Sequence, residues 1–592
     1  MAGGAQQTPR TFVVTTTDDE FDALDTDVAR FDPDDLSLRE AIALANLDPT
    51  TADTITFADG PGEAFEGGGT VALQLDQLEI SGSVIIDGDL DDDGAPDVTI
   101  DANADGDDDA ATALGQDGPD FQSRRVLDVE RGGGEASVGI EGLVLTGGFV
   151  DSSGGGDGFV DSSGGGIRAG DGVSLAIVDS AVTLNRALGP FARGGGVHTA
   201  GDVSLANSTV DSNEIPKGEF PRGGGISALG NVALTDSSVR LNYVSSEGGD
   251  FGFSYGGGVS AYADVSLVNS NVSDNVVLGY AGARGGGIFS FGNVNLTGST
   301  VNDNSADSAT TIGGGIDADA GTQLTNSTVS GNSVSGDSVV GGGISTSNLI
   351  VSLTNSTVSG NSAAGYKAYG GGVFGRDGVT LTNSIVLGNV TAGRVADDNE
   401  ISLSVAATLS AEGNNIVGAD AAAFDPSGEP NITNADPAAV FDATTEVLAD
   451  ADEDGVPEAT GVLAGVLADN GGPTKTIALL PGGLAVDAGD NALALDPEGT
   501  PLASDQRGAG FARIANGTVD LGAFEQQAPR TFVVTTTDDE FDALDTDVAR
   551  FDPDDLSLRE AIALANLDPS TADTITFDPT LFAPERDALI RL

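Results

Sequence analysis

Residues 341–373 read GGGISTSNLIVSLTNSTVSGNSAAGYKAYGGGV and contain one full period of the repeat that decides the fold. A glycine triplet followed by Ile or Val opens the period, and the next triplet begins 29 residues later. Eight such triplets follow one another at spacings of 28 to 33 residues. They begin at Gly164, Gly194, Gly223, Gly256, Gly285, Gly313, Gly341 and Gly370.

Each triplet is followed by a second marker, a Val with an Asn three residues later. These asparagines are Asn185, Asn213, Asn242, Asn275, Asn304, Asn332, Asn361 and Asn389. Short β-branched segments broken by Gly and Asn at fixed offsets are typical of strands joined by tight turns. A unit of 28 or 29 residues cannot bury an apolar face alone, so the units must stack. The sequence therefore predicts an all-β fold, a right-handed parallel β-helix whose asparagines form a ladder of side-chain amides at one turn.

Composition and charge exclude several classes of protein. The chain has 24 Lys and Arg against 92 Asp and Glu, a net charge of −68. Binding to nucleic acid depends on Lys and Arg that neutralise phosphates, so no nucleic-acid partner is expected. The chain has no Cys, which excludes a disulfide scaffold and cysteine metal sites. No apolar run is long enough for a transmembrane segment, and so acidic a surface suits high salt or a calcium-rich exterior.

A second, much longer repeat links the two ends of the chain. Residues 6–57 recur at 526–577. The copies differ only at Thr8 against Ala528 and at Thr50 against Ser570. We therefore expect a tandem array of modules of about 520 residues, in which this chain begins at an internal module boundary. Neither a signal peptide nor an anchor is recognisable here, and in such an array this says little about the intact product. A complete gene that lost its flanks is the alternative.

Each long copy carries a helix signal directly before predicted strands. Ser37 and Glu40 form a capping box, which predicts a short helix over 38–46. Its apolar face consists of Leu38, Ala41, Ile42 and Ala45. An amphipathic helix across the first coil would cover both the apolar interior and the open strand edge. The sequence thus predicts a short N-terminal helical cap and, with Ser557 and Glu560, a second copy of it.

Acidic loops give the strongest chemical signal. Three runs place oxygen ligands at positions 1, 3, 5 and 9 of an EF-hand-like loop, with Gly at position 6. The runs are Asp89, Asp91, Asp93 and Asp97; Asp101, Asn103, Asp105 and Asp109; and Asp450, Asp452, Asp454 and Glu458. Position 12 lacks Glu in all three, so the loops are closer to thrombospondin type 3 repeats than to sensor EF-hands. They predict structural Ca²⁺, with chance runs in an acidic chain as the alternative.

The repeat markers resemble those of the chlamydial polymorphic outer membrane proteins, GG-[AI] with F-x-x-N, with Val here in place of Phe. LSLREAIALAN at 36–46, followed by DTITF at 53–57, is similar to the CSLREA motif, with Leu36 at the position of its Cys. The resemblance to the polymorphic outer membrane proteins is to their type of repeat and not to the adhesins of that family. Together they imply a pectin-lyase-like parallel β-helix.

The C-terminal part resembles the choice-of-anchor Q domain. The similar residues are GGPTKTIALLPGGLAVDAGD at 471–490, DQRG at 505–508 and DLGAFE at 520–525. This resemblance implies a secreted or surface-attached protein of bacteria or archaea whose anchor varies.

These motifs predict five parts. They are a CSLREA-like cap at 1–60, a β-helix at 61–400, an acidic connecting region at 401–470, a choice-of-anchor Q-like segment at 471–526 and a truncated second cap at 527–592. The predicted function is a secreted or cell-surface structural or adhesive protein. It would be a rigid, calcium-stabilised spacer that presents loops to extracellular glycans, matrix or surface proteins.

Two alternatives stay open. A polysaccharide lyase or glycoside hydrolase could use the same fold, since fold alone does not decide function. It would need basic and acidic residues to converge on one groove of neighbouring coils, and Arg193 and Arg222, each directly before a triplet, are the basic candidates. A layer protein held together by calcium is the other alternative, and calcium-dependent self-assembly would reveal it.

Overall fold

The computed structural model describes residues 8–21, 32–49, 51–103, 124–130, 135–152, 162–246, 252–397, 399–419, 431–450, 456–539, 552–566, 571 and 573–582. The chain is all-β: 44% of the described residues lie in strands, and two short α-helices are the only α-helices among them. Its parallel sheets form a β-solenoid of about 11 turns, which confirms the predicted parallel β-helix. Within the same ranges, no helix has the length and apolar character needed to cross a membrane.

Four parallel sheets run along the solenoid. Sheet A consists of Thr11–Val14, Asp53–Phe57, Val84–Asp87, Ala136–Glu141, Val173–Val178, Val203–Ala206, Val232–Thr235, Val265–Val268, Val294–Thr297, Thr322–Thr325, Val351–Thr354, Gly378–Thr382 and Thr408–Glu412. Sheet B consists of Gly69–Ala72, Val98–Asp101, Leu143–Thr146, Ala181–Thr183, Thr209–Asp211, Ser238–Arg240, Asn271–Ser273, Thr300–Asn302, Thr328–Ser330, Thr357–Ser359, Ile385–Val386, Ile416–Val417 and Ile432–Thr433.

The other two sheets complete the wall. Sheet C consists of Leu78–Ile80, Leu127–Val129, Ile167–Ala169, Val197–Thr199, Ile226–Ala228, Val259–Ala261, Ile288–Ser290, Ile316–Ala318, Ile344–Thr346, Val373–Gly375 and Ile401–Leu403. Sheet D consists of Phe149–Asp151, Arg186–Leu188, Glu214–Gly218, Tyr243–Ser246, Phe253–Tyr255, Val276–Leu278, Gly282–Arg284, Ser305–Asp307, Thr310–Ile312, Ser333–Val340, Ser362–Tyr369, Val390–Ala392 and Val395–Asp397. Each full coil passes through the sheets in the order C, A, B and D.

Alternating apolar residues fill the interior of the solenoid. In the sheet A strand Val294–Thr297, Val294 and Leu296 are buried, whereas the residues between and after them are partly exposed. Parallel pairing sets Val294 beside Val265 and Leu296 beside Leu267 of the previous coil. Since each coil repeats the pattern in register, similar apolar side chains stack along the whole core.

The asparagine ladder lies in the turn between sheets B and D, and it meets the glycine triplets. Asn275 donates from Nδ2 to Oδ1 of Asn304 at 2.9 Å, and Asn304 donates in the same way to Asn332 at 2.9 Å. A Cβ on Gly287, the third glycine of its triplet, would lie 2.9 Å from Cγ of Asn304. The glycines thus leave the space that the ladder occupies, so the two repeat markers belong to one contact.

A second ladder, which the sequence analysis missed, follows the turn between sheets A and B. The Ser208 hydroxyl accepts from the amide of Ser180 and donates to the carbonyl of Ala206. The same arrangement continues through Ser237 and Ser270. The signal was present in the sequence, because a Ser lies five residues before each of the eight ladder asparagines.

The predicted helical cap closes the first coil. Helix α1, Leu38–Asn46, has Ser37 as its N-cap, and the Ser37 and Glu40 side chains each accept from the other's backbone amide. Its neighbour in sheet C is the strand Leu78–Ile80, where Asn46 Nδ2 donates to the carbonyl of Glu79 at 2.8 Å. All four residues of the predicted apolar face are buried.

The second long copy forms the same local unit without a coil beside it in the described ranges. Helix α2, Leu558–Asn566, lies by the parallel pair Thr531–Val534 and Thr574–Phe577. The strand Asp53–Phe57 also pairs with Val84–Asp87, whereas Thr574–Phe577 has no second partner strand among the described residues. Phe577 is accordingly 43% exposed and Phe57 only 4%.

The C-terminal part packs along the solenoid. After the antiparallel pairs Thr444–Ala449 with Glu458–Gly465 and Leu467–Ala468 with Thr476–Ile477, it has little regular structure. Its two 3-10 helices are Pro437–Ala439 and Asn491–Leu493. The Thr300 and Thr328 hydroxyls of sheet B donate to the Lys475 carbonyl at 2.8 Å and to Gln506 Oε1 at 2.6 Å.

Buried ion pairs hold the motif residues of this segment together. Arg507 Nη2 donates to Asp505 at 2.8 Å and to the Glu525 carbonyl at 2.6 Å, and its guanidinium lies 3.9 Å from the Phe524 ring centre. Arg513 pairs with the Glu525 carboxylate at 3.1 Å. Burial raises the pKa of Glu525 to about 7 against the opposing charge of Arg513. DQRG and DLGAFE therefore meet in one structural cluster.

Candidate metal site

The first acidic loop connects sheet A to sheet B near the cap. It follows the strand Val84–Asp87 and ends at Val98–Asp101. Two residues take left-handed backbone conformations, Asp92 with φ of 57° and Gly94 with φ of 76°. Gly94 is the glycine predicted to make the sharp turn, and these turns fold the loop back on itself.

Three of the four predicted ligands of this loop come together. Carboxylate oxygens of Asp89, Asp91 and Asp97 all lie within 4.8 Å of one another. Asp91 is exposed and the other two are partly buried. This is the one group of three such side chains that the described part of the chain brings together. Three hard oxygen donors at this separation suit Ca²⁺ or Mg²⁺.

Hydrogen bonds inside the loop fix two of these carboxylates. Asp89 accepts from the amides of Asp93 and Gly94 at 3.2 and 3.1 Å. Asp97 accepts from the amide of Leu90 at 2.8 Å. Each carboxylate has further lone pairs for a cation, so the loop positions the donors without using all of them.

The electrostatics of the loop favour a cation. Desolvation within the loop raises the pKa of Asp91, and the charges of Asp93 and Asp97 raise it further. Burial likewise raises the pKa values of Asp87 and Glu141, which lie side by side on sheet A and repel each other. A bound cation would lower the free energy of all these carboxylates in their charged form.

Contacts with later coils anchor the loop, and the sequence analysis missed them. Asn207 donates from Nδ2 to the Gly94 carbonyl at 3.0 Å and to Asp179 Oδ1 at 2.7 Å. Both side chains come from the turns that carry the serine ladder, where Asp179 has φ of 49° and Asn207 has φ of 46°. No local pattern reveals a contact between residues 113 positions apart.

The other predicted ligands lie outside this three-carboxylate group, and the structure describes only some of them. Asp93 lies outside the three-carboxylate group, and its Oδ1 accepts from the amide of Ala95 at 2.9 Å. In the second run Asp101 accepts from the amide of Asn103 at 2.8 Å. Asp450 and Glu458 lie at the two ends of a hairpin loop. The remaining predicted ligands, Asp105, Asp109, Asp452 and Asp454, lie outside the described residues.

A second acidic feature is a groove between sheet B and the C-terminal segment. Its volume is about 530 Å³, and its lining includes Asp236, Asp274, Asp303 and Lys475. Desolvation in the groove raises the pKa of Asp303; a hydrogen bond from Asn302 lowers it, the Asp274 charge raises it, and Lys475 lowers it. The groove therefore places the Asp303 carboxyl, whose pKa is raised, near the carboxylate of Asp274.

Comparisons with known proteins give no relative. The chain matches no protein-family model, no curated protein and no solved structure. The likeness to CSLREA, choice-of-anchor Q and polymorphic outer membrane protein sequences therefore stays a prediction from the motif residues.

Proposed function

We propose that this protein is a secreted or cell-surface β-solenoid that acts as a rigid spacer, is stabilised by calcium and presents its loops to glycans, matrix or other cells. The observation that carries the proposal is the group of Asp89, Asp91 and Asp97 at the start of an unbroken stack of coils. About 11 turns at roughly 4.8 Å per coil give a rod of about 50 Å. Continuous parallel pairing makes such a rod stiff, because each coil contacts both neighbours.

Calcium has a specific place in this proposal. Asp89, Asp91 and Asp97 would hold the ion, and the positive charge of the ion would offset the repulsion between these carboxylates. The loop is tied to two later coils through Asn207 and Asp179, so ordering the loop also strengthens the first coils. An exterior rich in calcium would keep such a site loaded and would screen the net charge of −68.

Calcium is expected to raise the melting temperature of the chelator-treated protein. At about 10 mM, and with the 10⁻⁴ to 10⁻³ M dissociation constants of extracellular calcium modules, the gain is about 1.4 to 2.7 kcal/mol. Asp91→Asn should lose a large part of this gain, because it removes a charge from the site while keeping an oxygen acceptor. Differential scanning calorimetry with and without CaCl₂ measures both effects.

Asp171→Asn is the matched control, since Asp171 is exposed and lies away from the three acidic runs. It should keep the calcium-dependent gain. An unchanged melting temperature on adding calcium, or an equal loss in the two variants, would refute the calcium site.

The enzymatic alternative has one specific observation in its favour, the groove lined by Asp274 and Asp303. A carboxyl whose pKa is raised beside a second carboxylate is the arrangement that a glycoside hydrolase needs for its acid and base. Incubation with acidic and neutral polysaccharides, followed by size-exclusion chromatography, tests it. Shortened polymer that is absent with Asp303→Asn would favour hydrolysis, and polymer of unchanged length would exclude it for those substrates.

A further inference from the structure

Two arginines on neighbouring coils have no counter-ion in the described part of this very acidic chain. Arg193 and Arg222 each lie directly before a glycine triplet and form a parallel backbone bridge. Neither side chain makes an ion pair or a hydrogen bond with another described residue. An unpaired guanidinium is unexpected where acidic residues outnumber basic ones by 92 to 24.

A third arginine in the same position shows what is missing. Arg284 also precedes a triplet, and it pairs with Asp317 of the following coil at 2.6 Å. Asp317 is the middle residue of the sheet C strand Ile316–Ala318 and is fully buried. The corresponding residues of the earlier coils are Ser227 and Ser260, which lie in register with each other. Arg193 and Arg222 therefore have a neutral serine at the position where Arg284 has the carboxylate of Asp317 as its ion-pair partner.

Polar atoms at this surface are left without partners. The Ser227 and Ser260 side chains are each 1% exposed, and neither hydroxyl has a hydrogen-bond partner. Nη1 of Arg222 is also buried and unpartnered. Burial lowers the pKa of Arg222; the neighbouring tyrosines raise it and the charges of Arg193 and Arg284 lower it. The charge of a ligand anion would offset the cost of desolvation and reduce the repulsion between the two guanidinium groups.

Aromatic rings surround the Arg222 guanidinium. It lies 4.0 Å from the ring centre of Tyr255, 5.1 Å from that of Tyr262 and 5.4 Å from that of Phe291. Tyr262 and Phe291 are 40% and 37% exposed, and their ring centres are 4.8 Å apart. These two rings offer an apolar surface to solvent beside the unpaired charge, an arrangement typical of sites that orient a ring-shaped ligand with a charged group.

We propose that Arg193 and Arg222 bind carboxylate groups of an acidic oligosaccharide, with its sugar rings on Tyr262 and Phe291. The internal Arg284–Asp317 pair identifies carboxylate as the group that fits a guanidinium in this column. The inference deepens the proposed function and rests on its glycan-contacting role, since it names the glycan class and the surface. The site binds the ligand and requires no cleavage.

Binding of short oligogalacturonates, measured by isothermal titration calorimetry, tests the proposal. The wild-type protein is expected to bind a tetragalacturonate and to bind its methyl-esterified, uncharged counterpart at least about tenfold more weakly. Arg222→Gln and Arg193→Gln should each weaken binding of the acid form by about tenfold or more. Tyr262→Ala should weaken the acid and ester forms alike, because it removes the apolar contact.

Arg240→Gln is the matched control, because Arg240 is an exposed arginine of sheet B that already pairs with Asp211 at 3.1 Å. It removes the same charge and should leave the affinity within about twofold. Absence of binding, equal affinity for acid and ester, or an equal loss in Arg240→Gln would overturn the proposal. Calcium-dependent melting is a separate measurement, so failure of this site and failure of the calcium-stabilised spacer can be told apart.

Discussion

Replacing Asn304 by Ala is expected to lower the free energy of unfolding of the solenoid by about 3 to 5 kcal/mol. The side chain is fully buried in the ladder. Its Oδ1 accepts from the backbone and side-chain amides of Asn275 at 3.1 and 2.9 Å, and its Nδ2 donates to the Val272 carbonyl at 2.9 Å. Alanine leaves these buried groups unsatisfied, and each orphaned group costs about 1 to 3 kcal/mol.

Asn231→Ala is the control for this ladder. Asn231 also makes hydrogen bonds between coils, to Asp202 at 3.0 Å and from the amide of Asp264 at 3.2 Å, but it is exposed and water can replace both bonds. Its loss should cost less than about 1 kcal/mol. Urea unfolding followed by circular dichroism compares the two variants. Equal losses would show that the buried hydrogen bonds of the ladder do not stabilise the stack more than exposed ones do.

Ile42→Ala is expected to destabilise the cap by about 2 to 5 kcal/mol, whereas Ile562→Ala should cost less than about 1 kcal/mol. The two residues occupy the same position in helices of identical sequence, Leu38–Asn46 and Leu558–Asn566. Ile42 is 2% exposed because the first coils cover it, and Ile562 is 45% exposed. Only the first substitution leaves a cavity.

The chain therefore contains its own control for the role of the cap. Denaturant unfolding of the two variants, at equal protein and calcium concentrations, measures the difference directly. A larger loss for Ile562→Ala, or no difference between the variants, would mean that α1 does not close the solenoid through its apolar face.

The repeat made the fold predictable, since a residue that recurs in every coil reports a constraint that every coil shares. Gly287 and Asn304 illustrate this, because both markers were visible and their mutual contact explains both. The cap helix was predictable from Ser37 and Glu40 for a local reason, the capping box. Its place across the first coil was also predictable, because the helix carries an apolar face and directly precedes the strands. The sequence of the helix alone does not determine how far it is buried, since the identical helix Leu558–Asn566 buries fewer residues.

Only those parts of the candidate sites that depend on residues close together in the sequence were predictable. The spacing of Asp89, Asp91 and Asp97 predicted the loop, and Gly94 predicted its sharp turn. The anchoring contact from Asn207 depends on the stacking of distant coils and has no local signal. The motif letters of the C-terminal segment likewise gave no hint that Arg507, Asp505 and Glu525 form one buried cluster.

The lack of a counter-ion at Arg193 and Arg222 was likewise not predictable from the sequence. In the sequence, the two residues are indistinguishable from Arg284, which shares their place before a triplet. The difference lies in the sheet C residue of the next coil. Asp317 forms an ion pair with Arg284, whereas Ser260 at the corresponding position gives Arg222 no counter-ion. The register of the coils must be known before that comparison can be made.

The most direct test of the calcium-stabilised spacer is a crystal structure of the protein grown in about 10 mM CaCl₂, with anomalous scattering used to locate the ion. A calcium peak is expected between Asp89, Asp91 and Asp97, with carboxylate oxygens about 2.3 to 2.6 Å from the ion. A loop that contains no such peak at this calcium concentration, in crystals that bind calcium elsewhere or not at all, would contradict it.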